Sequence, residues 1–345
     1  MKKLFVFTAI AFFPFLSLFA QSGDFNTTGE EGLDLKKTGQ TSMNFLQVEV
    51  SPREAALGGA ITSLSQGIES IFSNPAGLSE MTKNFGVFIS TTQWFADIKY
   101  HTAAAAWNTG NYGQIALSFI IVDYGTIQGA RLLPAAEAGI DANGYELTGD
   151  VNNVGAFAFG LTYGKQINDK FSVGGTMKYV GQQLGQLTDA NGATTDNSKN
   201  KLAFDFGVKY FTGIKSLRLG MSMRNFGTFV QYQNYSSAMP LLFAVGLGMD
   251  VLDFFEHSST NKLLASFEFV HPTNYTDRVR AGLEYVFMDI VALRGGYESN
   301  HDVLGFAAGI GLKGTLAETA IEFDYSFSQA EYFDNVNRFS LKVTF

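Results

Sequence analysis

The chain has 345 residues, enough for one large domain or two ordinary ones, and 46% of them are hydrophobic but only 16% charged, against roughly 25% charged in ordinary soluble domains. Its 24 basic and 32 acidic residues give a formal charge of −8, which argues against a nucleic-acid partner because such binding needs a basic footprint. Without cysteine there is no lipoprotein attachment, no disulfide framework and no thiolate metal site.

Residues 1–20 read as a secretory signal. Lys2 and Lys3 form its basic region, Leu4 to Leu16 its apolar region, and Phe19-Ala20-Gln21 a cleavage point after Ala20, with Leu18 bulkier than ideal at minus three. The apolar run is short for an uncleaved anchor and Pro14 interrupts it. Nothing downstream approaches the ~20 consecutive apolar residues of a membrane helix, so a bilayer would have to be crossed by strands.

Residues 21–37, with Gly23, Thr27, Thr28, Gly29, Glu30 and Glu31, read as a polar lead-in. Residues 38–82 are small and apolar without a membrane period, and a segment of that kind ahead of the first strand is expected to fold into a barrel lumen as a plug. Two runs stand out in it, Ala55-Ala56-Leu57-Gly58-Gly59 and Asn74-Pro75-Ala76-Gly77-Leu78. Proline fixes its own backbone and glycine reaches conformations barred to other residues, so Asn74 to Gly77 suit a tight turn and Gly58-Gly59 a close backbone approach. Both runs can simply seat the plug against the wall, the plainer reading; the functional alternative is that the plug gates a ligand path.

Residues 83–345 are expected to form the barrel. Strand-length segments, several with apolar and polar residues in clear alternation, recur near 85–92, 97–108, 112–123, 153–165, 170–182, 200–211, 215–225, 239–250, 261–271, 277–288, 290–298, 303–313, 319–328 and 337–345. They number about fourteen, an even number as a single-chain barrel requires. In Leu202-Phe204-Phe206-Val208-Tyr210 the intervening residues are Ala203, Asp205, Gly207 and Lys209, so one face is all oil. A basic side chain at the lipid midplane would cost about 2–4 kcal/mol, so the confinement of charge to one face is what a spanning strand needs. Connection lengths alternate too, with short turns near 108–111, 167–170, 212–214 and 287–289 and long stretches at 124–152, 183–199 and 226–238. Segment 251–260 is the exception, a longer connection on the short-turn side.

The polar face of these strands carries Arg218, Arg224, Glu268, Arg278, Arg280, Glu284, Arg294, Glu322 and Asp324. The favoured reading is an internal salt-bridge network that fills a narrow barrel, and the alternative is a binding site for an anionic or amphipathic solute. Gly246, Gly248, Gly305, Gly309 and Gly311 on that face fit either a bend in the wall or a plug lying close to it. The chain ends on Phe339, Leu341, Val343 and Phe345 alternating with Ser340, Lys342 and Thr344. A terminal aromatic on such a strand resembles the signal read by the bacterial outer-membrane assembly machinery.

The two runs, separated by about one short element ahead of the first strand, make the chain resemble the PorV/PorQ family, a branch of the FadL-like outer-membrane barrels. With the signal and the terminal phenylalanine, the resemblance covers nearly the whole chain. It implies an all-β transmembrane antiparallel barrel of about 14 strands with an N-terminal lumenal plug, in the outer membrane of a Gram-negative bacterium. It also implies a non-enzymatic accessory of type IX protein secretion that receives exported proteins or hands them on, with secretion components and exported proteins as partners. Likeness to the wider FadL-like group implies instead a passive transporter of hydrophobic small molecules. No cofactor is expected. His101, His257, His271 and His301 show no metal-ligand spacing, no serine sits in a nucleophile elbow, and Gly309-Ile310-Gly311-Leu312-Lys313-Gly314 matches the dinucleotide fingerprint without the helix that it needs.

Overall fold

The computed structural model describes residues 40–132, 145–188, 194–255, 260–301 and 303–345. The signal at 1–20, the lead-in at 21–37 and the first two residues of the expected plug lie outside them. In chain order the strands are β1 (Phe85–Gln93), β2 (Lys99–Asn108), β3 (Gln114–Asp123), β4 (Gln128–Leu132), β5 (Tyr145–Asp150), β6 (Val154–Asn168), β7 (Phe171–Thr188), β8 (Thr194–Phe211) and β9 (Arg218–Gly227). There follow β10 (Val230–Tyr232), β11 (Tyr235–Ser237), β12 (Leu242–Asp250), β13 (Lys262–Pro272), β14 (Arg278–Phe287), β15 (Val291–Glu298), β16 (Leu304–Leu316), β17 (Thr319–Ala330) and β18 (Val336–Thr344).

All but β4, β5, β10 and β11 join in sequence order, neighbour to neighbour, into one closed antiparallel barrel of 14 strands, one for each of the fourteen expected segments. Closure leaves no sheet edge for another chain to pair with. β1 meets β18 in a register running from Gly86 opposite Thr344 to Gln93 opposite Asn337, so the alternating C-terminal strand is the closing seam. At its foot the Phe345 amide donates to the Phe85 carbonyl at 2.9 Å and the two rings stack at 5.9 Å.

The period-two pattern maps onto the two faces of the wall. Along β14, Arg278, Arg280 and Glu284 are buried while Leu283 and Tyr285 point outward and are exposed. The outward apolar band continues around the cylinder through Phe206, Met221, Leu247, Phe267, Phe323 and Leu341. A closed wall that turns such a band outward is suited to lipid.

The end that carries Phe345 is called the lower end. Its connections are short except after β12, where a 3-10 turn at Val251–Phe254 starts with the Asp250 carboxylate accepting from the Leu252 amide. Two of the longer upper connections fold into small hairpins of their own, β4 with β5 and β10 with β11. The stretch 183–199, read from sequence as a loop, is different: β7 and β8 pair up to Thr188 opposite Thr194. Apart from Leu184 and Leu187 its residues are small or polar, which ends the apolar pattern but not the backbone ladder. Bulges interrupt the wall between β8 and β9 near Phe204 and between β16 and β17 after Leu304.

Inside, residues 40–82 lie against the inward face of the wall. They form 3-10 turns at Asn44–Gln47, Gly67–Phe72 and Pro75–Glu80 and one short helix, α1 (Pro52–Ala56), with Pro52 at its first position, where the missing amide costs nothing. Leu57, Leu64, Ala76 and Leu78 are fully or almost fully buried.

Candidate functional site

The two N-terminal runs occupy two notches that wall glycines cut. Gly164, Gly174 and Gly207 stand in one row across β6, β7 and β8. The second run presses into this row: a Cβ at Gly164 would lie 3.0 Å from the Leu78 Cβ, and Cβ atoms at Gly174 and Gly207 would collide with Pro75 and Asn74. Asn74 anchors it, its buried side-chain amide donating to the Thr62 carbonyl at 2.8 Å and the Val208 carbonyl at 3.1 Å while its oxygen accepts from the Ala76 amide at 3.1 Å.

The first run fills a second notch on β14, β15 and β16. A Cβ at Gly282 would sit 2.9 Å from the Leu57 Cβ, one at Gly309 2.6 Å from the Ala56 Cβ, and one at Gly296 would collide with Leu57. Gly58 and Gly59 turn the chain away with φ of 62° and 77°, the left-handed region that side chains avoid. Of the five glycines marked from sequence, Gly309 faces Ala56, Gly248 faces Ser63 and Leu64, Gly246 faces Glu268 and Gly311 faces Asp324 and Arg294. Gly305 differs: it falls in the β16 bulge and faces the outward Tyr297 ring.

The nine wall charges picked out in the sequence all point inward, but half of their partners come from the N-terminal segment. Arg280, 2% exposed, reaches Glu49 and Glu298 at 2.9 Å and Glu268 at 3.7 Å. Arg224 faces Glu54 at 3.7 Å and donates to the Phe72 carbonyl at 2.8 Å; Arg218 and Lys209 converge on Glu80. Conversely Glu284 receives Arg53 at 2.9 Å and Arg294 at 3.4 Å. Arg294 also holds Asp324 at 2.5 Å, and Arg278 holds Glu298 at 3.4 Å. Glu49, Glu54, Glu69 and Glu80 carry no barrel period, so nothing in their spacing marks them as partners of wall arginines and lysines more than a hundred residues away. Lys178, Lys209, Glu298, Arg338 and Lys342 do sit at inward positions of the alternation, and that signal would have found them.

Glu69, Glu322 and Asp324 bring three carboxylates within reach of one cation. The position is already neutralised by side chains: the Lys342 ammonium lies 2.7 Å from Glu69 and 2.5 Å from Glu322, and Arg294 is on Asp324. Burial alone would raise Glu69, but Lys342, with a hydrogen bond from Ser51, holds it down to about 2; Arg280 and Arg338 do the same for Glu49, also to about 2. Glu54 goes the other way, since burial outweighs Arg224 and raises it to about 7.

The opposite side of the lumen is oily. Near the lower end Phe88, Ala104, Ala106 and Ala116 of the wall pack with Ile68, Ile71, Leu78 and Met81 of the segment. Near the upper end Tyr100, Val122, Ala156, Ala158 and Val180 pack with Met43, Phe45 and Val50. Phe72 packs against both groups, its ring 6.0 Å from that of Phe88, so the two join into one apolar stripe along β1, β2, β3, β6 and β7. The segment therefore has a charged flank toward β8, β9 and β13–β18 and an apolar flank toward β1–β3, β6 and β7. Around the upper rim Phe226, Phe229, Tyr235, Tyr332 and Phe333 are exposed, whereas Tyr232 turns in and donates to Gln182 at 3.3 Å.

No protein-family model and no curated protein sequence matches the chain. Solved structures do. The CymD monoaromatic hydrocarbon channel superposes with a TM-score of 0.54 at 14% identity over 86% of this chain and 98% of its own. The Pseudomonas putida toluene transporter TodX gives 0.53 at 12% identity over 86% and 97%, and a Pseudomonas aeruginosa FadL homologue 0.51 at 12% over 86% and 98%. The chain thus shares the β-barrel fold of these three proteins.

Proposed function

We propose that this barrel is a passive outer-membrane channel for small hydrophobic molecules, inserted through its terminal strand by the outer-membrane assembly machinery and closed here by the segment 40–82 acting as a plug. The observation that carries this is the apolar stripe joined at Phe72, which links the upper rim to the lower end along one side of the lumen. A solute passing there would meet side chains of its own polarity, and only the apolar flank of the plug would have to yield; the ion pairs on the other flank hold the plug in the barrel meanwhile. The names of two fold neighbours, a monoaromatic hydrocarbon channel and a toluene transporter, favour the same reading. It is tested by the initial rate of labelled toluene uptake into outer-membrane bacteria lacking hydrocarbon channels of their own. Expression of this protein is expected to raise the rate several-fold, and an unchanged rate with the barrel correctly inserted would overturn the proposal.

A second reading, receipt of exported proteins in type IX secretion, has the two N-terminal runs behind it and the exposed upper-rim aromatics Phe229, Tyr235, Tyr332 and Phe333 as a docking surface. Deleting the gene separates the two. Loss of secreted proteins bearing the type IX sorting domain, with toluene uptake unaffected, is the outcome that favours the second.

A further inference from the structure

Phe72 stands where the apolar stripe changes character. Above it, toward the upper rim, side chains packed on the stripe such as Leu46, Val48 and Ile120 are only partly buried. Below it, no member of the lower group, from Ile68 to Ala116, is more than 6% exposed. Phe72 is itself partly exposed and packs against both groups, so its ring is at once the floor of the upper half and the roof of the closed lower half. Its main chain is pinned from the charged flank. Arg224, which faces Glu54 at 3.7 Å, donates to the Phe72 carbonyl at 2.8 Å, and two residues on the Asn74 amide donates to the Ser70 carbonyl at 2.8 Å. With the backbone held, turning the side chain about its own bonds is the smallest movement that clears the stripe, and such turns are far faster than movement of a whole segment.

We propose that the Phe72 ring is the selectivity gate of the apolar path, setting the width of the solute that passes from the upper half into the lower one; this rests on the channel reading. The ring lies 6.0 Å from that of Phe88 at 46°, within the range of aromatic pairs, so a flat ring that displaces Phe72 finds the Phe88 ring in place as its neighbour. Ala104, Ala106 and Ala116 keep the wall beside Phe88 short. A solute of one aromatic ring takes the place of one phenyl group, whereas two fused rings exceed it. The class admitted is the single-ring aromatic hydrocarbon.

The test is the ratio of labelled naphthalene to labelled toluene uptake, each corrected for cells without the protein. Phe72→Ala is expected to raise this ratio by about tenfold, the lower end of the discrimination that an apolar pocket makes between neighbouring sizes, and Phe72→Trp to lower it. Leu64→Ala is the control. Leu64 is 1% exposed and packs with Leu57, Ile61 and Leu264 away from the stripe, so its truncation loosens the same segment and is expected to leave the ratio unchanged. Should Phe72→Ala fail to insert, Phe72→Leu keeps much of the volume, removes the ring and is expected to shift the ratio in the same direction. A ratio indifferent to residue 72 while toluene still enters, or one that Leu64→Ala shifts equally, would overturn the gate alone. No uptake above background by the unmodified protein and every variant would overturn the channel reading and the gate with it.

Discussion

Gly296 of β15 lies directly against the Leu57 backbone: a Cβ built on it would collide with the Leu57 carbonyl carbon, whereas one built on its neighbour Gly295 meets nothing. The pair gives a substitution and its control one residue apart. Gly296→Val is expected to leave the barrel closed but to push the 40–82 segment off the wall, at an overpacking cost of about 1–3 kcal/mol, and Gly295→Ala to be near neutral. Limited proteolysis of the N-terminal segment in the folded barrel distinguishes them.

Asn74 serves three backbone groups at once and is 0% exposed. Asn74→Ala leaves the Thr62 and Val208 carbonyls without that donor in a dry site, which costs about 1–3 kcal/mol. A lowered urea midpoint in detergent, with native barrel content retained, is the expected outcome.

Arg280 faces Glu49, Glu268 and Glu298, and of these Glu298 also pairs with Arg278 at 3.4 Å. Arg280→Met therefore takes the ion pair from buried Glu49 and Glu268 and is expected to destabilise by about 3–5 kcal/mol, the scale found when one partner of a buried pair is removed. Adding Glu268→Gln to that variant should restore part of the loss, which a double-mutant cycle measures.

Stability should depend on pH through the plug carboxylates in two opposite ways. Glu49 and Glu69 are held at about 2 against an ordinary 4.5, so the stability they contribute is present above about 4.5 and is lost as pH falls toward about 2. Glu54 is raised to about 7, so its contribution is greatest below about 4.5, declines as pH rises to about 7, and is flat beyond. Unfolding midpoints across this range are expected to lose the acid limb in part with Glu69→Gln and the decline above about 4.5 with Glu54→Gln.

The wall is legible in the sequence because a spanning strand must segregate oil from charge residue by residue, as Leu202 to Tyr210 and Phe339 to Phe345 do. The extension of β7 to Thr188 is not, since backbone pairing outside the apolar band leaves no mark on side-chain type. The candidate site is half legible. Arg280 and Glu284 declare themselves by their inward positions, but their partners Glu49 and Arg53 lie 231 residues away in a stretch with no period. Likewise Gly164, Gly174 and Gly207 read only as small residues until Asn74 and Pro75 are seen against them.

The absence of cysteine permits one lock on the plug. A Cβ at Gly164 would lie 3.0 Å from the Leu78 Cβ, short of the ~3.8 Å usual in a disulfide, so Leu78→Cys with Gly164→Cys should bridge after the two backbones part by about 0.8 Å. Toluene uptake by cells expressing this double variant should be low when the bridge is oxidised and return to the unmodified protein's rate on reduction. Uptake that is the same in both states, with the bridge shown to have formed, would contradict a plug-gated apolar path.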